Sequence, residues 1–144
     1  INKKIVMTNG CFDILHPGHI HILTKARQFG DCLIVAINED DSIRKLKGLE
    51  RPINKLKDRI EMLCSLKIVD YVVSFKEETP DKLYKIITPD VLVKGGDYKA
   101  ESVVGSDSVT ENGGEVKIVE LLQQYSSTGI IKKINSNSGI NNLL

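Results

Sequence analysis

Two histidines with a glycine between them, His16, Gly18 and His19, are the residues of this sequence best suited to chemistry. They follow an apolar β-type run and precede an amphipathic stretch, so they belong to a strand-to-helix turn. Free backbone N–H groups and the helix dipole favour anions there, and a glycine lets a phosphate approach the backbone. Both imidazoles can face that phosphate. The arrangement suits phosphoryl or nucleotidyl transfer, in which the protein positions an in-line reaction and stabilises its charge.

Two other interpretations of these histidines stay open. His16, His19 and His21 lie close enough in sequence to ligate a metal, but no second cluster completes four ligands and the glutamate of H-E-x-x-H is absent. They could also be ordinary surface histidines, which the intervening Gly18 disfavours. We therefore assign no metal ligand, and we expect His21 to lie on a helix face without a role.

Composition and missing motifs argue against several classes of protein. The 144 residues are 41% hydrophobic and 27% charged, as in a globular domain, and a net charge of +1 gives no support to nucleic-acid binding. The longest apolar run, residues 32–37, is too short for a membrane helix, and no signal peptide is evident. Three cysteines without a C-x-x-C pair indicate neither a disulfide framework nor a zinc site. The P-loop and dinucleotide-binding glycine motifs are absent. We predict a cytoplasmic domain with no nucleic-acid or membrane partner.

The elements that position the histidine turn alternate between β-type and helical patterns. Strands are predicted at residues 5–8, 33–38, 71–74, 91–94 and 116–119, and helices at 18–29, 59–66, 80–87 and 128–134. This alternation predicts an α/β fold, with a doubly wound, mostly parallel five-stranded sheet in one domain over residues 1–134. The polar residues 135–144 are predicted to form a flexible tail. In such a fold the ligand crevice lies beyond the carboxyl ends of the strands.

A basic segment follows the second predicted strand. Seven basic and two acidic residues lie between positions 44 and 59. Such a segment would attract and neutralise two negatively charged substrates that otherwise repel each other. For Lys55, Lys57 and Arg59 a solvated charged surface is an equally good interpretation.

Two later turns carry polar groups suited to a nucleotide. Residues 94–97, K-G-G-D, allow tight backbone passage near a ligand, and Asp97 can accept hydrogen bonds from ribose hydroxyls; a plain glycine turn is the alternative. Ser126, Ser127 and Thr128 precede the last predicted helix and form an N-cap signal. Their hydroxyl and N–H groups could also hold the β- and γ-phosphates, and the two roles are compatible.

Residues 10–19, G-C-F-D-I-L-H-P-G-H, resemble the motif of the cytidylyltransferase-like nucleotidyltransferases. Within that superfamily the chain is most similar to the heptose 1-phosphate adenylyltransferase domains of bacterial ADP-heptose synthases. The closer resemblance rests on L-K-G at 46–48, R-P-I-N at 51–54, V-D-Y-V-V-S-F at 69–75, L-V-K-G-G-D-Y at 92–98, G-G-E-V at 113–116 and S-S-T at 126–128. No arginine precedes S-S-T as it does in cytidylyltransferases, which disfavours CTP as the nucleotide.

The resemblance implies a Rossmann-like fold and a role for each matching residue. The catalytic residues would be His16, His19 and Lys47. The nucleotide would be bound by Gly10, Cys11, Phe12, Gly18, Asp97, Ser127 and Thr128. The substrates would be positioned by Asp13 and Arg51.

The resemblance also implies substrates and partners. ATP and D-glycero-β-D-manno-heptose 1-phosphate would give ADP-heptose and pyrophosphate for surface glycan precursors, with Mg²⁺ on the triphosphate. Because the sequence starts at Ile1, we expect either a domain of a longer chain with a fused sugar kinase or a separate kinase beside it; a homodimer is a further expectation. Alternatives are a transferase that uses CTP with glycerol 3-phosphate or GTP with a heptose phosphate, and a non-catalytic nucleotide sensor.

Overall fold

The centre of the molecule is a parallel sheet. The structure, a computed structural model, describes residues 2–141. Five strands lie in the order β3-β2-β1-β4-β5. They are β1 Ile5–Gly10, β2 Cys32–Asn38, β3 Tyr71–Phe75, β4 Val91–Gly95 and β5 Glu115–Val119. Val6 of β1 pairs with Leu33 on one side and with Val91 on the other. The predicted α/β fold with a five-stranded parallel sheet is confirmed.

Helices form the connections between the strands. Within residues 2–141 they are α1 Pro17–Arg27, α2 Asp40–Lys47, α3 Leu56–Cys64, α4 Asp81–Ile87, α5 Ser106–Glu111 and α6 Ser127–Asn141. The sequence did not predict α2, α5 or the 3₁₀ turn Ala100–Ser102. These elements are short. Most residues of α2 are charged and Ile43 is its one buried apolar residue, so its sequence shows no apolar period. No helix in this part of the chain is long and apolar enough to cross a membrane.

Apolar side chains fill both faces of the sheet. On one face Val6 packs with Leu23 of α1 and Leu63 of α3. On the opposite face Met7 packs with Tyr84 of α4. Neighbouring residues of one strand are thus both buried, because helices cover the sheet on both sides. The polar loops beyond the strand ends are held on this rigid layer.

The last helix departs from its predicted boundary. It was expected to end at residue 134 and to give way to a flexible tail, but α6 continues to Asn141. A helix that is already formed propagates through Asn and Ser at modest cost. The hydroxyls of Ser136 and Ser138 donate to the carbonyls of Lys133 and Ile134, which occupies them within the helix. The predicted boundary at 134 is therefore wrong. Residues 142–144 of the predicted tail lie outside the described residues.

Candidate active site

The candidate site lies where the strand order reverses. The chain runs from β1 outward through β2 to β3 and then returns to place β4 on the other side of β1. A crevice opens at such a switch point, beyond the carboxyl ends of the two central strands. Here Gly10 and Gly95, the last residues of β1 and β4, line one cavity together with His19 of α1. The predicted histidine turn follows β1, one of the two strands at this switch point.

The two histidines together cap the N-terminus of α1. His16 is the N-cap residue, and its Nδ1 accepts the backbone N–H of Gly18 at 3.1 Å. In return, Nδ1 of His19 accepts the backbone N–H of His16 at 3.3 Å. This is a reciprocal capping box made by two imidazoles. Because Nδ1 of each ring is an acceptor, a neutral ring carries its proton on Nε2, so each offers one N–H donor.

The histidine rings are held neutral by their surroundings. They stack with centroids 3.8 Å apart. Burial, together with the nearby charges of His16 and Lys47, lowers the pKa of His19 to about 4, and the Ile14 carbonyl opposes this only in part. Burial also lowers the pKa of His16. Near pH 7 both rings therefore act as hydrogen-bond donors and not as cations.

Gly18 is required by the ring beside it. A Cβ at this position would lie 2.8 Å from Cε1 of His16 and 3.2 Å from Cβ of Tyr125. Sequence reasoning expected this glycine to make room for a phosphate. The structure adds another reason, since the His16 ring occupies the space that a larger residue would take.

Asp13 and Arg51 form a buried clamp between two loops. The Asp13 carboxylate accepts the Nε–H of Arg51 at 2.8 Å and the backbone N–H groups of Ile53 and Asn54 at 2.7 and 2.8 Å. Burial alone would raise the pKa of Asp13, but these donors hold it below its ordinary value. Both side chains were predicted to position substrates. In the structure they hold the segment after α2 against the histidine loop, and Nη2 of Arg51 is buried without a partner within residues 2–141.

Arg59 is the largest buried side chain of the site, with a side-chain exposure of 1%. Its guanidinium donates to the carbonyls of Cys11, Asn38 and Asn54 at 2.8, 2.8 and 3.0 Å. It also pairs with Asp40 at 2.6 Å. The sequence left Arg59 between a substrate contact and a solvated surface, and the solvated interpretation is wrong. An arginine among apolar residues of a helix, followed by Ile60 and Leu63, was the available signal of burial.

Two cavities adjoin these groups. A small cavity of about 120 Å³ is lined by His19, Lys47, Ser127 and the loop 10–13. A large cavity of about 520 Å³ opens beside it. The two share a wall made by Asn9, Gly10, Cys11, Lys47 and Lys94. Lys47 ends α2 and is the only basic residue of the 44–59 segment on either wall within residues 2–141.

The structure brings together most of the predicted nucleotide-binding residues. Gly10, Cys11 and Phe12 line the small cavity, and Phe12 holds a left-handed backbone at φ 48° that is strained for a bulky residue. Ser127 also lines it, and its hydroxyl donates to the Ile14 carbonyl at 3.2 Å. The helix cap is made one residue earlier, by Ser126, which accepts the N–H of Gly129 at 2.9 Å.

Other predicted residues lie outside these cavities. Asp97 and Thr128 are exposed and line neither cavity. His16 stacks on His19 but itself faces a shallow apolar surface with Leu15 and Ile20.

Buried polar groups at the ends of the strands were missed by the sequence analysis. The Tyr84 hydroxyl donates to Oδ1 of Asn9 at 2.7 Å, and burial raises the pKa of Tyr84. Nδ2 of Asn38 donates to the Ser42 hydroxyl at 2.9 Å. Lys94, on the wall between the cavities, was singled out only within its motif. An asparagine or lysine closing an apolar strand is the sequence signal that could have found them.

The donor set does not form a metal cage. Among the residues that the structure describes, no group of three or more His, Cys, Asp or Glu could hold a metal ion. The Asp13 carboxylate already accepts three hydrogen bonds, and Nδ1 of each histidine accepts a backbone N–H. A divalent ion at this site would have to take its ligands from substrate phosphates and water.

Comparison with known proteins identifies the family. The model of the family described as "Cytidylyltransferase-like" matches residues 7–135, which run from within β1 to the first part of α6. The chain belongs to the cytidylyltransferase-like family. The predicted resemblance is therefore confirmed, and with it a nucleotidyltransferase domain.

Curated relatives match almost the entire cytidylyltransferase-like chain. The bifunctional protein HldE of Histophilus somni is 57% identical over 132 residues, which are 92% of this chain and 28% of that protein. The HldE of Actinobacillus pleuropneumoniae is 55% identical over 134 residues, which are 93% and 28% of the respective chains. This chain thus spans about 28% of the length of the relatives it matches.

Solved structures support the cytidylyltransferase-like fold. A lipopolysaccharide core biosynthesis protein from Thermoplasma volcanium is 32% identical with a TM-score of 0.68, and the match covers 83% of this chain and 97% of that one. A pantoate-beta-alanine ligase from Francisella tularensis is 18% identical with a TM-score of 0.57, over 89% and 67% of the chains. The second likeness shows the fold alone.

Proposed function

We propose that this chain is an adenylyltransferase that joins D-glycero-β-D-manno-heptose 1-phosphate to the AMP moiety of ATP. The products are ADP-heptose and pyrophosphate. Support comes from the family and from 55–57% identity to HldE proteins over nearly the whole chain. The relative from Thermoplasma volcanium, described as a lipopolysaccharide core biosynthesis protein, supports the use of the product in surface glycans.

One observation carries the chemical part of the proposal. His16 and His19 form a capping box at the start of α1, where the two neutral rings stack and use Nδ1 for the cap, which leaves the proton of each ring on Nε2. A phosphate in the small cavity would meet the dipole of α1 and, on the cavity wall, His19 and the Lys47 ammonium, while His16 stacks on His19. These donors are fixed by the backbone before the substrate arrives, so little reorganisation is needed during the reaction.

In the proposed step, an oxygen of the sugar phosphate attacks the α-phosphorus of ATP. The new P–O bond forms as the bond from the α-phosphorus to the bridging oxygen of the β-phosphate breaks, and pyrophosphate leaves with that electron pair. No covalent intermediate with the protein forms. His16 and His19 donate to the α-phosphate oxygens, where negative charge increases in the transition state.

The other proposed roles follow from position. Lys47 and Ser127, on the wall of the small cavity, bind the triphosphate, and Thr128 in the first turn of α6 assists them. Asp97, exposed on the loop after β4, is assigned to the nucleoside. Asp13 and Arg51 act indirectly, because their clamp fixes the loop that carries the histidines.

A divalent ion and partner proteins complete the proposal. Mg²⁺ accompanies ATP and neutralises part of the triphosphate charge, held by phosphate oxygens and not by a protein cage. The sugar 1-phosphate requires a kinase, which we propose to be fused to this domain or to act beside it. Because the reaction consumes ATP, we propose that it takes place in the cytoplasm. We also propose a homodimer as the working assembly.

A pyrophosphate-release assay tests the function. ATP, GTP and CTP are each offered with the heptose 1-phosphate and with glycerol 3-phosphate, and we expect release only with ATP and the heptose phosphate. His19→Ala serves as the inactive protein, and His21→Ala serves as the matched histidine control. Release with CTP and glycerol 3-phosphate, or with GTP, would replace the proposed substrates. Binding of a nucleotide without release from any pair would instead identify a sensor.

A further inference from the structure

The larger of the two cavities has no role in the function described so far. It holds about 520 Å³ and is formed by the end of α2, the loop after β3 and the segment after β4. It meets the small cavity at the shared wall that includes Lys94. A molecule in each cavity would therefore be separated by little more than this wall.

Lys94 is a charged group without a partner. It is half-buried at the end of β4, and none of the ion pairs found within residues 2–141 includes it. Burial lowers the pKa of Lys94, and no carboxylate opposes that effect. An ammonium withdrawn from water is stabilised by an incoming anion that supplies the missing opposite charge.

The remaining walls of the large cavity suit a hydroxyl-rich ring. Glu78, Thr79 and Ser102 provide a carboxylate and two hydroxyls. The exposed apolar residues Tyr98 and Val104, which are 52% and 49% exposed, lie at the same cavity and offer a surface to C–H groups. A few convergent polar groups within an apolar lining are typical of small-molecule sites.

We propose that the large cavity is the acceptor site and that Lys94 binds the phosphate of the monosaccharide phosphate. This assignment rests on the proposed function. The ammonium lies between two phosphates that would otherwise repel, so it brings the attacking oxygen towards the triphosphate in the small cavity. The ring of the acceptor then lies among Glu78, Thr79 and Tyr98.

Kinetics of a lysine series test the residue. Lys94→Met keeps the length of the side chain and removes its charge, and we expect it to raise the KM of the sugar phosphate about 10- to 100-fold. Its Kd for a non-hydrolysable ATP analogue should change by less than about threefold, and Lys94→Arg should recover most of the loss. Lys99→Met, in the same segment but on neither cavity wall, is the matched control. A loss of ATP-analogue affinity as large as the rise in KM would overturn the assignment.

A binding experiment separates this proposal from the proposed function. Calorimetric titration with sugar 1-phosphate alone should show binding to the wild-type chain that weakens in Lys94→Met and in Val104→Trp, which fills the large cavity. If such binding is found but no pyrophosphate is released, the acceptor site stands and the proposed reaction does not. If pyrophosphate is released and both variants keep a wild-type KM, the reaction stands and the acceptor site is refuted.

Discussion

Replacing His16 by asparagine and by alanine should separate its two roles. In the structure, Nδ1 of His16 caps α1, which leaves the Nε2–H for the proposed contact with substrate. Asparagine is among the best N-cap residues, so it restores the acceptor for the backbone N–H of Gly18. Its short amide does not reach the position of Nε2. The two substitutions therefore differ in the cap while sharing the loss of the ring.

The expected magnitudes follow from these contacts. Loss of the cap in His16→Ala should lower the free energy of unfolding by about 0.5–2 kcal/mol, and His16→Asn should recover most of it. If the ring stabilises charge that develops only in the transition state, both variants should lose about 10²- to 10³-fold in kcat. The nucleotide Kd should change much less, because Lys47 and the helix N-termini remain.

Urea unfolding and steady-state pyrophosphate release measure the two effects on the same proteins. His21→Ala, one turn further along α1 and on the wall of neither cavity, is the control and should keep both quantities. Recovery of kcat together with stability in His16→Asn would refute the reasoning, since the ring would then act only as a cap. A wild-type kcat in His16→Ala would be equally decisive against it.

Three further predictions concern the rest of the site. Arg59→Met should lower the free energy of unfolding, measured by urea titration, by about 3–5 kcal/mol, because the substitution leaves buried carbonyls and a carboxylate without their donor. Lys57 is exposed, so Lys57→Met should change the free energy of unfolding little. The ring of His19 should stay neutral in NMR titration until about pH 4. Because the pKa of His19 in the folded protein is lowered from 6.5, its contribution to stability is present above pH 6.5 and declines as the pH falls towards 4. An ordinary titration midpoint would contradict the burial argument. Ser127→Ala should raise the nucleotide KM about 2- to 10-fold without loss of stability. Ser126→Ala should lower stability and leave the nucleotide KM unchanged. Equal effects of the two substitutions in both assays would remove the distinction between cap and ligand.

The sequence by itself determined the fold class and the turn at which we look for the active site. Apolar runs alternating with amphipathic stretches specify parallel strands covered by helices, because the periodicity of burial is local to each element. The position of His16 and His19 between a strand and a helix predicted the turn that we propose to bind a phosphate. The length and apolar content of a segment are evident from that segment alone, so these predictions needed no tertiary information.

Short and charged elements were not predictable from local pattern. The helix α2 has eight residues, and its buried side consists of Ser42 and Ile43, too few to show a period. The end of α6 was placed too early for a related reason, since Asn and Ser are weak signals in either direction. Helix propensities differ by only a few tenths of a kcal/mol per residue, so they do not by themselves end a helix whose earlier turns have already formed.

Only the tertiary structure decided which polar side chains line the cavities and which hold the loops. Asp13 and Arg51 were predicted to position substrates, and the structure adds that they pair with each other where two loops distant in sequence meet, with Asp13 on the wall of the small cavity. Arg59 belongs to a run of basic residues, and its burial depends on carbonyls at Cys11 and Asn38 that the fold brings within reach. A charged side chain is buried only where enough partners converge, and that convergence is set by long-range packing, which no local window of sequence contains.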